Sequence, residues 1–185
     1  MNGSTVRFTE VQHSRQWWLW LFVVVFAAFT LGFFAQGIYV QLVLGKAWGD
    51  NPMSDRALVA TAIAVFLFEV ALVALLAVTH LRTEVREDGT YLRYFPRHLS
   101  FHRLPLTDVI QIEAITYRPI LDYGGWGILS SFGSPGGTRG GAYTVFGNRG
   151  VRITYTTGHH YLIGSQQPDQ LAAAIEAIRE SGGGE

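Results

Sequence analysis

Thirty consecutive residues without a charge, "QWWLWLFVVVFAAFTLGFFAQGIYVQLVLG" between Arg15 and Lys46, constrain this chain more than any other feature. A second apolar run of 23 residues lies between Arg56 and His80, with Glu69 as its only charge. About 20 apolar residues cross a bilayer as a helix, and the shorter run reaches about 34 Å at 1.5 Å per residue. The first run is too long for a signal peptide, and no small-residue cleavage site follows it. Two transmembrane helices are therefore expected, at 17–44 and 57–79, joined by a loop at 45–56.

The flanks agree. Trp17, Trp18 and Trp20 form an aromatic belt at one end of the first run, with Tyr39 and Trp48 toward the other. Gly45, Gly49 and Pro52 break the first helix, and Ser54 or Asp55 caps the second. Near the helix ends, Arg7, Arg15, Arg82, Arg86, Arg93 and Arg97 lie on the terminal side, against Lys46 and Arg56 in the loop. This asymmetry predicts a multi-pass protein of the cytoplasmic (inner) membrane. The N-terminal segment 1–16 and both termini are placed in the cytoplasm, and the loop outside.

Counting inward from the loop sets Glu69 opposite Gly32, with Thr30 and Gln36 about a turn away. Ala28 and Gly32 form a small-xxx-small pair that favours close helix approach. A carboxyl at this depth is costly, by about 2.5 to 3.5 kcal/mol even on a lenient insertion scale, so it needs hydrogen bonds. It serves either as polar glue within the hairpin or as a contact for a partner in the same membrane. No second ionisable group lies in either run to make a proton relay.

After Arg82 the hydrophobic period changes from helical to alternating. "TEVREDGTYLRYF" carries a hairpin signal at Asp88-Gly89. "LSFHRL", "DVIQIEAITYRP", "AYTVF", "VRITY" and "HHYLIG" follow as strands, with a bulge expected after Ala114. "QQPDQLAAAIEAIRE" is a helix whose Leu171, Ile175 and Ile178 share one face. Residues 80–180 thus read as about seven antiparallel strands in a small barrel or sandwich, closed by a C-terminal helix. Residues 181–185 read as a disordered tail. The fold class is α+β, with a transmembrane helical hairpin first.

Strand count, order and terminal helix resemble the pleckstrin-homology-like (PH-like) superfold. The blocks "QWWLWL", "QLVLGKAWGDNPMSD", "YRPILDYGGWGI", "GNRGVRI" and "LIGSQQPDQLAAAI" resemble those of an uncharacterised prokaryotic family of two-helix membrane proteins with a cytoplasmic PH-like domain. The resemblance implies architecture and no activity.

The residues themselves offer no catalytic constellation. Formal charge is zero, from 14 basic and 14 acidic side chains, which gives no footprint for nucleic acid. The absence of cysteine excludes disulfides, thiol catalysis and thiolate metal sites. Eight glycines crowd residues 124–141, but no Walker lysine or strand–GxGxxG–helix setting accompanies them. His98 and His102 are about 13 Å apart along an extended chain, too far to share a metal. Ser130, Ser131 and Ser165 lack a nucleophile-elbow setting. No cofactor and no metal are expected.

What remains is binding. Arg86, Arg93 and Arg97 offer a mild attraction to anionic lipid headgroups, offset by Glu84, Glu87 and Asp88. Trp126 near the start of the glycine segment, with Tyr117, Arg118 and Tyr123 before it, comprises residue types enriched at interaction hot spots. The expected role is a non-enzymatic, membrane-anchored accessory or scaffold subunit that binds other integral membrane proteins. The alternative is a membrane-tethered lipid- or peptide-sensing module.

Overall fold

A computed structural model describes residues 5–14, 16–130 and 140–182. The chain divides into two units, residues 15–77 and residues 1–14 with 78–185.

The first unit is the helical hairpin. Helix α1 spans Trp17–Ile38 and runs on through a π-helical turn, Tyr39–Val43. Helix α2 spans Asp55–Val78. Both are long and apolar enough to cross a membrane. Ser54 caps α2 as expected, its Oγ accepting the Ala57 N–H at 3.3 Å. Gly45 and Gly49 take the left-handed conformation that ends the first helix, at φ +65° and +81°. The loop folds back so that the Trp48 ring packs on Phe33, with centroids 4.6 Å apart. Gly37 makes room for that ring, because a Cβ there would stand 2.7 Å from it.

The second unit holds two sheets and a covering helix. Strands β1 (Val6–His13), β2 (His80–Arg86), β3 (Gly89–Phe95) and β4 (His102–Leu104) form the first sheet, in that order. In the second, β5 (Val109–Thr116), β8 (Arg149–Tyr155), β9 (His160–Gly164), β7 (Gly140–Thr144) and β6 (Gly127–Ser130) lie in the order β5-β8-β9-β7-β6. A short helix α3, Pro119–Tyr123, separates β5 from β6. Helix α4 covers Pro168–Gly182.

The core forms where the apolar faces meet. Leu81, Val85, Leu92 and Leu104 of the first sheet join Val151, Ile153 and Ile163 of the second in one buried cluster. Leu171, Ile175 and Ile178 close it from α4, as their spacing predicts. Each such side chain contributes about 1.5 to 3 kcal/mol by burial. Asp169 in the first turn of α4 and Arg179 in the last complement the helix dipole.

Several expectations are corrected. The sheets do not close into a barrel: β1 and β4 are free edges of one, β5 and β6 of the other. Nine strands stand among the described residues where about seven were expected, and the added ones are β1 and β6. Not all pairs are antiparallel, since β7 and β9 run parallel. Arg86 pairs with Gly89, so the β2–β3 loop is Glu87-Asp88, one residue earlier than the Asp88-Gly89 signal suggested. The irregularity in β5 lies at Ile110, between Val109 and Gln111, not after Ala114. Ile110 is consequently turned outward and 57% exposed. The expected tail at 181–185 starts late, because α4 continues to Gly182; residues 183–185 lie outside the described residues.

The largest departure is β1. Residues 6–13 are not a free segment but an edge strand, paired antiparallel with β2 from Val6↔Arg86 to His13↔His80. The helical hairpin is thus inserted between two adjacent strands of one sheet.

Candidate functional site

Two apolar helices have no obvious buried face, because every side of each is hydrophobic. The less exposed positions nevertheless recur regularly. On α1 and its π turn they include Val23, Ala27, Thr30, Phe34, Gly37 and Gln41, and on α2 Leu58, Ala62, Val65, Glu69, Leu72 and Leu76. Both sets step by four and three residues, the seam of an antiparallel left-handed pair.

Glu69 and Thr30 both sit on that seam. Glu69 is 6% exposed, and the Thr30 hydroxyl lies in hydrogen-bonding contact with its Oε1. The same hydroxyl is 3.0 Å from the Phe26 and Ala27 carbonyl oxygens of its own helix, so it is held in place from below. Nearer the loop, the Gln41 Nε2 donates to the Met53 carbonyl and to Asp55 Oδ1, both at 2.7 Å. A cavity of about 160 Å³ beside the seam is lined by Phe22, Val23, Phe26, Ala27, Glu69 and Leu72.

Gly32 and Gln36, expected to face Glu69, lie elsewhere. Both are exposed, and a Cβ on Gly32 would meet nothing within 4 Å. Ala28 is exposed on the same stripe, so the small-xxx-small pair belongs to the outer face of α1. The glycine of α1 that a close contact requires is Gly37, against the Trp48 ring of the loop. Depth was legible in the count from the loop, whereas rotation about the helix axis was not.

The residues expected to bind a partner in the β-unit are dispersed. Tyr117 is 3% exposed and packs with Ala142 and Leu162, so it is a core residue and not a surface contact. Burial pushes its phenol up to about 12. Tyr123 stands edge-on against it at 5.8 Å, half-buried. Arg118 is exposed and pairs with Asp122 at 3.7 Å. Trp126 is half-buried, and its indole N–H donates to the Gly147 carbonyl at 2.8 Å, tying β6 to the β7–β8 turn. Half of the glycine segment, residues 131–139, lies outside the described residues.

Of the three arginines linked to headgroups, Arg97 is exposed in the β3–β4 loop. Arg86 and Arg93 instead join Arg82, which the sequence reading passed over, around Phe101. Their guanidinium carbons stand 5.7 Å (Arg82), 5.2 Å (Arg86) and 5.1 Å (Arg93) from that ring's centroid. Glu84, its side chain 4% exposed, pairs with Arg82 at 2.7 Å and Arg86 at 2.6 Å. The alternation of β2 and β3 would have grouped these arginines, but Phe101 arrives through a loop that periodicity does not read.

His98 and His102 are closer than extended-chain geometry suggested, with ring centroids 6.3 Å apart, because the chain turns back between β3 and β4. Burial lowers the pKa of His98, with smaller contributions from His102 and Arg97. Among the described residues no three His, Asp or Glu groups converge as metal ligands.

A buried polar contact also went unread. Glu10 of β1, 8% exposed, accepts the Ser165 hydroxyl at 2.6 Å and the Gln166 N–H at 2.7 Å. Gln12 donates to the Gly164 carbonyl at 2.6 Å. Both are buried polar residues of β1.

No curated protein and no solved structure matches the chain. Residues 2–181 match the family of unknown function DUF6141, and the chain belongs to that family.

Proposed function

We propose that this protein is a membrane-anchored, non-enzymatic accessory subunit that binds another integral membrane protein through the outer face of α1. The observation that carries the reading is Gln36. Its amide is exposed on α1, seven residues before the end of the span at Val43, or about 10 Å inside it. A primary amide facing hydrocarbon without a partner costs about 2 to 7 kcal/mol. A neighbouring helix that accepts and donates to it removes that cost, and Gly32 and Ala28 below it leave room for close approach.

The strand order supports the topology. Because β1 and β2 are neighbours in one sheet, residues 6–13 and 80–86 occupy one side of the membrane, which requires an even number of crossings. Two spans satisfy this. The excess of arginine on the terminal side favours the cytoplasm of a prokaryotic cell. Two open sheets with a C-terminal helix packed on their core are what supports reading the β-unit as a PH-like module, and that fold by itself assigns no ligand.

The test is purification of the full chain in a gentle detergent, followed by size and mass analysis. A defined polypeptide is expected to accompany the wild type and to be lost from Gln36→Leu and Gly32→Leu. A wild-type chain that runs alone at 20.5 kDa overturns the proposal.

A further inference from the structure

The outer face of the first sheet carries more positive charge than its fold uses. Arg82 of β2 and Arg93 of β3 are directly opposed in register. Like charges so placed destabilise a sheet. Arg82 and Arg86 share the carboxylate of Glu84, but Arg93 has no ion pair among the described residues. The buried Nε atoms of Arg82 and Arg93 also lack hydrogen-bond partners. Glu87 and Asp88 stand at the hairpin tip, where Asp88 accepts the Tyr91 hydroxyl and its carbonyl accepts from Arg103. Three guanidinium groups against one carboxylate therefore converge on Phe101 with a surplus of two positive charges. All three lie within 5.7 Å of the Phe101 centroid, so the ring gathers them before any anion arrives.

We infer that this face, built from Arg82, Arg86, Arg93 and Phe101, docks on the phosphate groups of anionic phospholipids in the bilayer that holds the hairpin. The occupant follows from charge and from tethering. Strand β2 begins at His80, two residues after α2 ends at Val78, and β1 ends at His13, four before α1 begins at Trp17. Connections that short keep the sheet within reach of the lipid surface at a high effective concentration. Each arginine near an anionic leaflet adds attraction worth a factor of roughly five in the docked population. The inference rests on the helices spanning a membrane and is independent of the Gln36 partner.

The chain has no cysteine, so Leu99→Cys, at a site 77% exposed in the β3–β4 loop, accepts a single polarity-sensitive fluorophore. The labelled full chain is placed in nanodiscs of phosphatidylcholine, alone or with a third phosphatidylglycerol. A blue shift is expected in the anionic discs only, reversed by high salt. The docked fraction should fall roughly fivefold for Arg93→Gln. It should vanish for Arg93→Glu, whose β-unit unfolds at no lower temperature because the Arg82 repulsion is relieved. An unchanged shift in Arg93→Glu, or none in the wild type, overturns the inference. A shift produced in neutral discs by inorganic phosphate or a soluble acidic peptide also overturns it, in favour of a soluble ligand. A chain that does not enter nanodiscs removes the membrane reading and this inference together.

Discussion

Glu10 and Ser165, 155 positions apart, share a hydrogen bond of 2.6 Å. The carboxylate comes from the strand before the helical hairpin, and the hydroxyl from the short link between β9 and the C-terminal helix. The β-unit is therefore completed by residues that precede both apolar helices.

It follows that the hairpin can be excised. His13 and His80 are paired across β1 and β2, so replacing residues 14–79 with Asn-Gly closes a two-residue β-hairpin. The product is expected to be a soluble, cooperatively folding protein, whereas the fragment beginning at Val78 should aggregate or melt at lower temperature. Within the excised protein, Glu10→Ala should cost about 1 to 3 kcal/mol, read by denaturant unfolding, because Ser165 and the Gln166 N–H lose their acceptor. Equal stability with and without β1 would contradict the pairing.

The seam contact of the hairpin gives a graded series. Glu69→Gln keeps an oxygen for Thr30 and should be nearly silent. Glu69→Leu and Thr30→Val each remove the contact and should loosen the helix pair by about 0.6 to 2 kcal/mol, measured by unfolding in detergent. A large defect in Glu69→Gln with the pair intact would assign the carboxyl a titrating role instead.

Two tyrosines set an alkaline limit. Burial raises Tyr117 and Tyr155 from the ordinary value near 10 to about 12. Below pH 10 the native and unfolded chains both hold these protons. Between pH 10 and about 12 the unfolded chain releases them and the native chain does not, so stability falls as pH rises. The loss is on the order of 1 kcal/mol per pH unit for each tyrosine. Phenolate absorbance should show both ionising late, together with unfolding.

Trp126→Phe separates a staple from a free contact. It removes the donor to Gly147 and should lower the stability of the β-unit by about 1 kcal/mol. Unchanged stability would mean that the indole is available for a partner after all.

Much of this was legible in local pattern. The two long apolar helices followed from charge-free length, the Ser54 cap from its place before α2, and α4 from Pro168 with the Leu171, Ile175 and Ile178 stripe. What escaped is non-local or rotational. Strand β1 finds its partner across the whole hairpin, so no turn signal joins them. Helices apolar on every side carry no face in their composition, so Thr30 meets Glu69 as expected while Gln36 and Gly32 turn outward. The open sheets and the parallel β7–β9 pair depend on strand order, which alternation does not encode.

The proposal that the outer face of α1 binds a partner is tested most directly by placing a photocrosslinking amino acid at position 36 in living cells. Irradiation should give one adduct of defined mass with another membrane polypeptide, and position 30 on the seam should give none with an outside chain. If position 36 yields only lipid adducts, or the same weak mixture as any lipid-facing site, α1 binds no partner there.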